Sequence, residues 1–334
     1  MSRRFGLPAV YTAAALATAV TTVASLALTP ASGIAARADP DEPVRPYIVT
    51  AKSRADARLL VREARWRVRR YYTAALPGFA SWLTAREAAE LRTDARVRSL
   101  EPDRRVHPQR AWGPARLDAR VLPLDGRVRA SATGRGVTVY VVDSGVEAGH
   151  AEFGDRAWRA FDATGGDGSD CTGHGTQVAG IAAGGTHGVA PGARVASVRV
   201  LGCQGWGSLS DVIAGVDWVR GHARGPAVAN LSIGGDDSPA LDRAVRNLAR
   251  AGVFVVAAAG NDGTDACLTS PAGARGVFTV AAPHASGAAA LYLESHVGAR
   301  PSTLASWLKS TATRGEIRQN PSRTSNLLQH TGRL

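Results

Sequence analysis

The run VTVYVVDSGV, residues 137–146, decides how this chain must be read. From Val137 to Val142 every residue is a strand former, with no polar alternation. Such a strand is buried on both faces. It ends on a carboxylate, Asp143, followed by Ser144 and Gly145. Similar runs recur at Arg194–Leu201, Val228–Ile233, Val253–Ala259 and Val277–Ala281. Helical stretches lie between them, at Thr176–Ala183, Ser208–Arg224 and Ser238–Ala251. That alternation predicts an α/β fold of three layers, a mostly parallel central sheet with helices on both faces.

In such sheets, functional groups gather at the carboxyl ends of strands. Asp143 is at one of these ends, as a turn or helix cap, or as the group that orients a histidine. His174 lies in DCTGHGTQVAG, residues 170–180, between two glycines at the start of a small-residue helix. A lone histidine is more often structural. An aspartate at a strand mouth some 30 residues earlier shifts the reading toward catalysis. Asn261 closes the run from Val253 to Gly260, where its amide could donate to a developing oxyanion.

Charge supplies the wider frame. The chain of 334 residues carries 40 Lys+Arg and 28 Asp+Glu, net +12. Residues 1–107 hold 18 of the basic and 10 of the acidic residues, so most of the excess lies in the first third. Nearly all of it is arginine, which reads as codon bias rather than a phosphate-binding face; no nucleic-acid partner is expected. Ser2-Arg3-Arg4, a weakly apolar stretch from Leu7 to Leu28 and the small-x-small Ala36-Arg37-Ala38 read as an export signal over 1–38. A transmembrane helix is the competing reading, disfavoured by the many Thr and Ala residues. The mature chain is expected to be extracellular, free of the membrane and monomeric, in a compartment where disulfides persist.

Residues 39–107 read as a small α+β, ferredoxin-like domain. Strands are expected at Tyr47–Thr50, Tyr71-Tyr72, Phe79–Leu83 and Val97–Asp103, with helices over Ala55–Arg70 and from Thr84 through Leu91. Thr84 and Glu87 form a capping-box signal. PYIVTAK (46–52), GFASWLTAREAAELRTDARV (78–97) and SLEPDRRV (99–106) resemble the inhibitory propeptide of subtilisin-like proteases. That resemblance implies an intramolecular inhibitor that plugs the active site, with a processing cut between about Val106 and Trp112.

The remainder, 108–334, carries the same resemblance. VYVVDSGV, CTGHGTQVAGIAAG (171–184), GVAPGARVASVRVLGCQGWG (188–207), ANLSIGG (229–235), VVAAAGND (255–262) and AAPHASGAAALYL (281–293) are similar to the subtilisin-like serine proteases, nearest their secreted proteinase K and aqualysin branch. The resemblance implies a Ser-His-Asp endopeptidase acting on proteins or peptides. Asp143 and His174 are then two triad members and Asn261 the oxyanion amide. Ser232, Ile233, Gly234 and Gly235 become the edge that pairs with substrate. Ala258 and Gly260 belong to the pocket wall for the residue before the scissile bond. It also implies a Cys171–Cys203 disulfide. No cofactor is required; calcium is a structural ion in the family, but no loop here has EF-hand spacing.

The expected Gly-Thr-Ser element before Ala-Ala-Pro-His is missing. Thr279 occupies the serine's column, counting back from Pro283. Two readings are open: Thr279 replaces the serine, or a block is deleted near 280/281 and Thr279 is an ordinary strand residue. Cys267 favours deletion, since its partner in relatives lies in the lost block; a buried apolar filler is the alternative. His284 reads as a packing residue. Two functions follow, an exported endopeptidase or a catalytically inactive, peptide-binding relative.

Overall fold

The computed structural model describes residues 42–64, 67–109, 130–281, 284–315 and 325–331. The expected export signal over 1–38 lies outside the described residues. From Pro43 onward the chain forms one compact unit. Among the described residues no helix is long and apolar enough to cross a membrane.

The N-terminal layer comprises β1 (Arg45–Ala51), α1 (Arg54–Ala64), β2 (Val68–Tyr72), β3 (Gly78–Leu83), α2 (Ala85–Thr93) and β4 (Val97–Pro102). Its strands pair antiparallel in the order β2-β3-β1-β4. The capping box forms as expected, with the Thr84 side chain accepting from Glu87 N and the Glu87 carboxylate accepting from Thr84 N. The helix expected over Ala55–Arg70 is shorter than its sequence suggests. Val68 to Tyr72 pair with β3 instead, which carries Arg69 and Arg70 to Asp211 across the molecule. Long-range pairing and ion pairs outweigh the local helical pattern there.

The chain continues through β5 (Arg105–Pro108), β6 (Thr138–Asp143), β7 (Ala157–Asp162), α3 (His174–Ala183), β8 (Arg194–Arg199), β9 (Gly207–Ser208), α4 (Leu209–His222), β10 (Ala227–Leu231), β11 (Ile233–Asp236), α5 (Pro239–Arg250) and β12 (Phe254–Ala258). Then come β13 (Thr269–Ser270), β14 (Phe278–Val280), α6 (His284–Ser295), α7 (Pro301–Thr311) and an antiparallel pair, β15 (Thr313–Arg314) with β16 (Leu327–Leu328). The central sheet runs β14-β12-β10-β6-β8-β7, with every pairing parallel. Alternation along β6 explains the three layers. Val139 and Val141 face α3 and α6; Tyr140 and Val142 face α4. β7 was not expected from the sequence.

β10 stops at Leu231, two residues before the expected end. Ile233 belongs to a separate sheet, β13-β11-β5-β9. At Ser232 the chain leaves the parallel stack and turns to pair antiparallel with β5, where Ile233 faces Pro108 and Gly234 faces His107.

Carboxylates fasten the N-terminal layer to the rest. Asp103 accepts from Ser210 N at 2.8 Å and Ser210 Oγ at 2.6 Å, at the start of α4. Glu101 accepts from Ser238 Oγ and Ala240 N, both at 3.0 Å, at the start of α5. Both use the electropositive end of a helix. In the opposite direction, Asp217 on α4 accepts from the backbone N–H groups of Thr73, Ala74 and Ala75. Burial raises the pKa of Glu101 and of Asp103.

Candidate active site

Asp143 ends β6 fully buried, and His174 opens α3. Their meeting depends on a close approach between the loop after β6 and the start of α3. A side chain at Gly175 would put a Cβ 2.0 Å from the Gly145 carbonyl oxygen, so only glycine fits. Gly173, just before, has φ +79°, a conformation that also favours glycine. The result is a 2.7 Å contact between His174 Nδ1 and Asp143 Oδ1.

A second layer of hydrogen bonds holds this pair. Ser144 N donates to Asp143 Oδ1 at 2.7 Å, and Ser144 Oγ accepts from Gly175 N at 3.0 Å. The same hydroxyl donates to Asp170 Oδ1 at 2.9 Å. Asp170 also accepts from the N–H groups of Thr172, Gly173 and Thr176 and from the Thr176 hydroxyl. Burial pushes the Asp170 carboxyl up, but these donors outweigh it and the net shift is downward.

The far nitrogen of His174 is also engaged. Nε2 lies 2.8 Å from the carbonyl oxygen of Gln109. Both ring nitrogens therefore face oxygen acceptors, which suits the doubly protonated imidazolium. Burial pulls the His174 pKa down. The hydrogen bonds to Asp143 and Gln109 and the Asp143 charge outweigh it, so the pKa stands above 6.5.

The cleft is filled. β5 lies between β11 and β9, with Val106 opposite Gly207. Gln109 N donates to Ser232 O at 2.7 Å, extending that ladder. Ser232, Ile233 and Gly234 thus line the chain's own tail as a paired edge, while Gly235 pairs with Ser270 on the other side. Asn261 Nδ2 donates to Gln109 Oε1 at 3.0 Å, reaching the side chain of the residue whose carbonyl faces His174. Ala258 is half-buried at the end of β12; Gly260 is exposed with φ +100° and open space around it.

His174, backed by Asp143, and Asn261 converge on Gln109 of the tail; Thr279 does not join them. It lies in β14 opposite Ala257, and its hydroxyl donates to Ala272 O at 2.6 Å. Among the described residues no hydroxyl is hydrogen-bonded to His174 Nε2. Residues 282–283 lie outside the described residues. His284 is buried at the start of α6.

Cys171 and Cys203 form a disulfide. Cys267 is free and exposed, so it is not a buried apolar filler. Among the described residues no three His, Cys, Asp or Glu side chains are grouped to hold a metal.

Sequence reading missed the role of Gln109, which lies within the expected processing window from about Val106 to Trp112, and it missed the supporting roles of Ser144 and Asp170. The spacing of Asp170 to Thr172, Gly173 and Thr176 was a usable signal, since an aspartate two to six residues before exposed N–H groups commonly caps them.

A parallel sheet with an aspartate–histidine pair at its carboxyl edge and a peptide strand across it defines a class, the peptide-hydrolase scaffold with an inhibitory segment in place. The comparisons name the family. Residues 134–282 match the model of the Subtilase family, and residues 35–109 match that of Peptidase inhibitor I9. An Extracellular serine proteinase of Thermus sp. (strain Rt41A) is 42% identical over 319 aligned positions, which take in 79% of this chain and 78% of that protein. Alkaline serine exoprotease A of Vibrio alginolyticus is 37% identical over 311 positions, 76% of this chain and 58% of that protein. The crystal structure of a cold adapted subtilisin-like serine proteinase superposes with a TM-score of 0.64 at 38% identity, over 66% of this chain and 97% of that one. The chain belongs to the subtilase family of serine proteases and carries that family's inhibitory propeptide.

Proposed function

We propose that this chain is an exported subtilisin-like zymogen scaffold, with signal 1–38, inhibitor 39–107 and peptidase domain 108–334, that holds peptide in its cleft but lacks the nucleophile for hydrolysis. Asp143 would fix the tautomer and orientation of His174, and His174 would take the proton of an attacking hydroxyl. Asn261 would stabilise the oxyanion. The hydroxyl's oxygen has to lie between Nε2 and the carbonyl carbon under attack.

The observation that carries the reading is the direct 2.8 Å contact between Nε2 and the Gln109 carbonyl oxygen. No oxygen stands between them. The commitment of Thr279 to Ala272 supports the same reading. So does the alignment with the Thermus relative: 319 positions against 79% of 334 residues leaves several dozen positions of the relative without a counterpart here. An internal shortening near 280/281 accounts for both.

The test is covalent labelling of the purified chain with a serine-directed fluorophosphonate, alongside intact-mass measurement. The expected result is no label and an uncut bond after Gln109. Labelling that disappears in His174→Ala would restore the active endopeptidase.

A further inference from the structure

The His174 loop is held at its other end by a disulfide with an unusual neighbour. Arg199, at the end of β8, is buried, 6% exposed. Its Nη2 lies 3.3 Å from Cys171 Sγ and 3.3 Å from Cys203 Sγ. Its Nε donates to Leu201 O, and Nη1 lies 3.5 Å from Asp162 Oδ2. A buried guanidinium gains little from a neutral disulfide. It would gain far more from the thiolates produced when the disulfide is opened, because charge interactions strengthen where water is scarce. Both cysteines are exposed residues, within reach of an external thiol, while the guanidinium lies beneath them.

The disulfide also joins the two sides of the filled cleft. Cys171 lies three residues before His174. Cys203 belongs to the turn closed by the hydrogen bond from Gly202 N to Trp206 O. Arg105, from the cleft-filling strand, lies 4.1 Å over the Trp206 ring, and its neighbour Val106 pairs with Gly207. One covalent bond thus couples the histidine loop to the turn that grips the plug.

We propose that Cys171–Cys203 is a thiol-exchange site for dithiol reductants, with Arg199 steadying the departing thiolate and the His174 loop and the plug as the elements it frees. A thiolate of the reductant attacks Sγ of one cysteine. The S–S electron pair passes to the other sulfur, which leaves as a thiolate beside Arg199. The reductant's second thiol then attacks the mixed disulfide, closes the reductant's own disulfide and releases the second cysteine. Two electrons pass to the protein, and the two thiol protons of the reductant go to the cysteines or to water. The proposal does not depend on whether the chain hydrolyses peptides.

The test uses the full chain with Cys267→Ser, so that only this pair reports. The protein is equilibrated in buffers of reduced and oxidised dithiothreitol, trapped by alkylation and counted by mass. Arg199→Met should require an about tenfold more reducing ratio for half reduction. Asp162→Asn, which removes the competing negative charge, should shift the midpoint the opposite way, and keeps the test open if Arg199→Met fails to fold. Amide exchange at residues 170–176 and 105–109 should rise when the parent is reduced. An unchanged midpoint in both variants, or exchange that ignores reduction, would overturn the proposal.

Discussion

The two halves of the active-site rim differ in how they are built. On one side, Asp143 and His174 are held by Ser144, Asp170 and the glycines of the 170–176 loop, and Asp143 is fully buried. On the other, β14 is three half-buried residues at the edge of the sheet. Ala281 is exposed beside it, and Leu268, 70% exposed, projects next to the free Cys267. The first half is assembled from one strand end and one helix start. It needs nothing from the second half to reach its geometry. On the proposed reading, the aspartate–histidine pair and the docked tail persist although the nucleophile side is shortened.

If a block is missing near 280/281, as proposed, restoring it should have the largest effect. Losing the serine of such a triad costs on the order of 10⁶ in kcat. Inserting the corresponding block of the Thermus relative between Val280 and Ala281 should therefore bring back fluorophosphonate labelling and cleavage after Gln109. An insert that folds, by circular dichroism and cooperative melting, yet stays unlabelled would show that the preserved half is not competent.

Disturbing the preserved half should be felt in stability. Gly175→Ala drives a Cβ against the Gly145 carbonyl, and overpacking of this kind costs about 1–3 kcal/mol. Gly180→Ala, later in the same helix, meets nothing within 4 Å and should gain about 0.4–1 kcal/mol. Chemical denaturation of both variants checks the contrast. Equal and small shifts would mean that the close approach at Gly145 does not organise the loop.

The preserved half also makes plug docking sensitive to pH. The His174 pKa is raised with the tail in place, through Asp143 and the Gln109 carbonyl, with Asp170 adding to it. A raised pKa means that the folded molecule, with the plug in place, retains a proton that the unfolded chain gives up. Its contribution is complete below the ordinary value of 6.5 and is lost as pH rises through the elevated one. Amide exchange at residues 105–109 should accelerate across that window, and His174→Gln should flatten the response. A plug that loosens toward acid pH instead would mean that His174 protonation does not govern its docking.

The sequence revealed these regions unequally. Val137–Asp143 was legible because a strand buried on both faces has an uninterrupted apolar run. The Asp143–His174 pairing followed from two element ends that a parallel sheet brings to one rim. β7 was not legible: its edge position leaves Ala157–Asp162 only half-buried, with Arg159 exposed, and erases the continuous pattern. The overlong helix through Arg70 failed because Arg69 and Arg70 answer to Asp211, more than 140 residues away in the chain, which no local window registers. Gln109 was missed for the same reason. Its role depends on Ser232, His174 and Asn261, none of them near it in sequence.

The smallest effect should come from Cys267→Ser. The thiol is exposed, and its pKa is raised by the neighbouring Asp265, so it is neither buried filler nor an activated nucleophile. Surface substitutions away from packed or paired groups stay within about 0.5 kcal/mol, and denaturation of the variant should give that result. Adding the restored block changes the expectation. If the block supplies the partner cysteine, as the resemblance implies, the pair closes a loop, and Cys267→Ser then becomes costly by about 2–4 kcal/mol. A substitution that is silent in the short chain and costly in the restored one would tie the odd cysteine to the proposed loss near 280/281. A large cost in the short chain would instead give Cys267 a structural role of its own and separate it from that event.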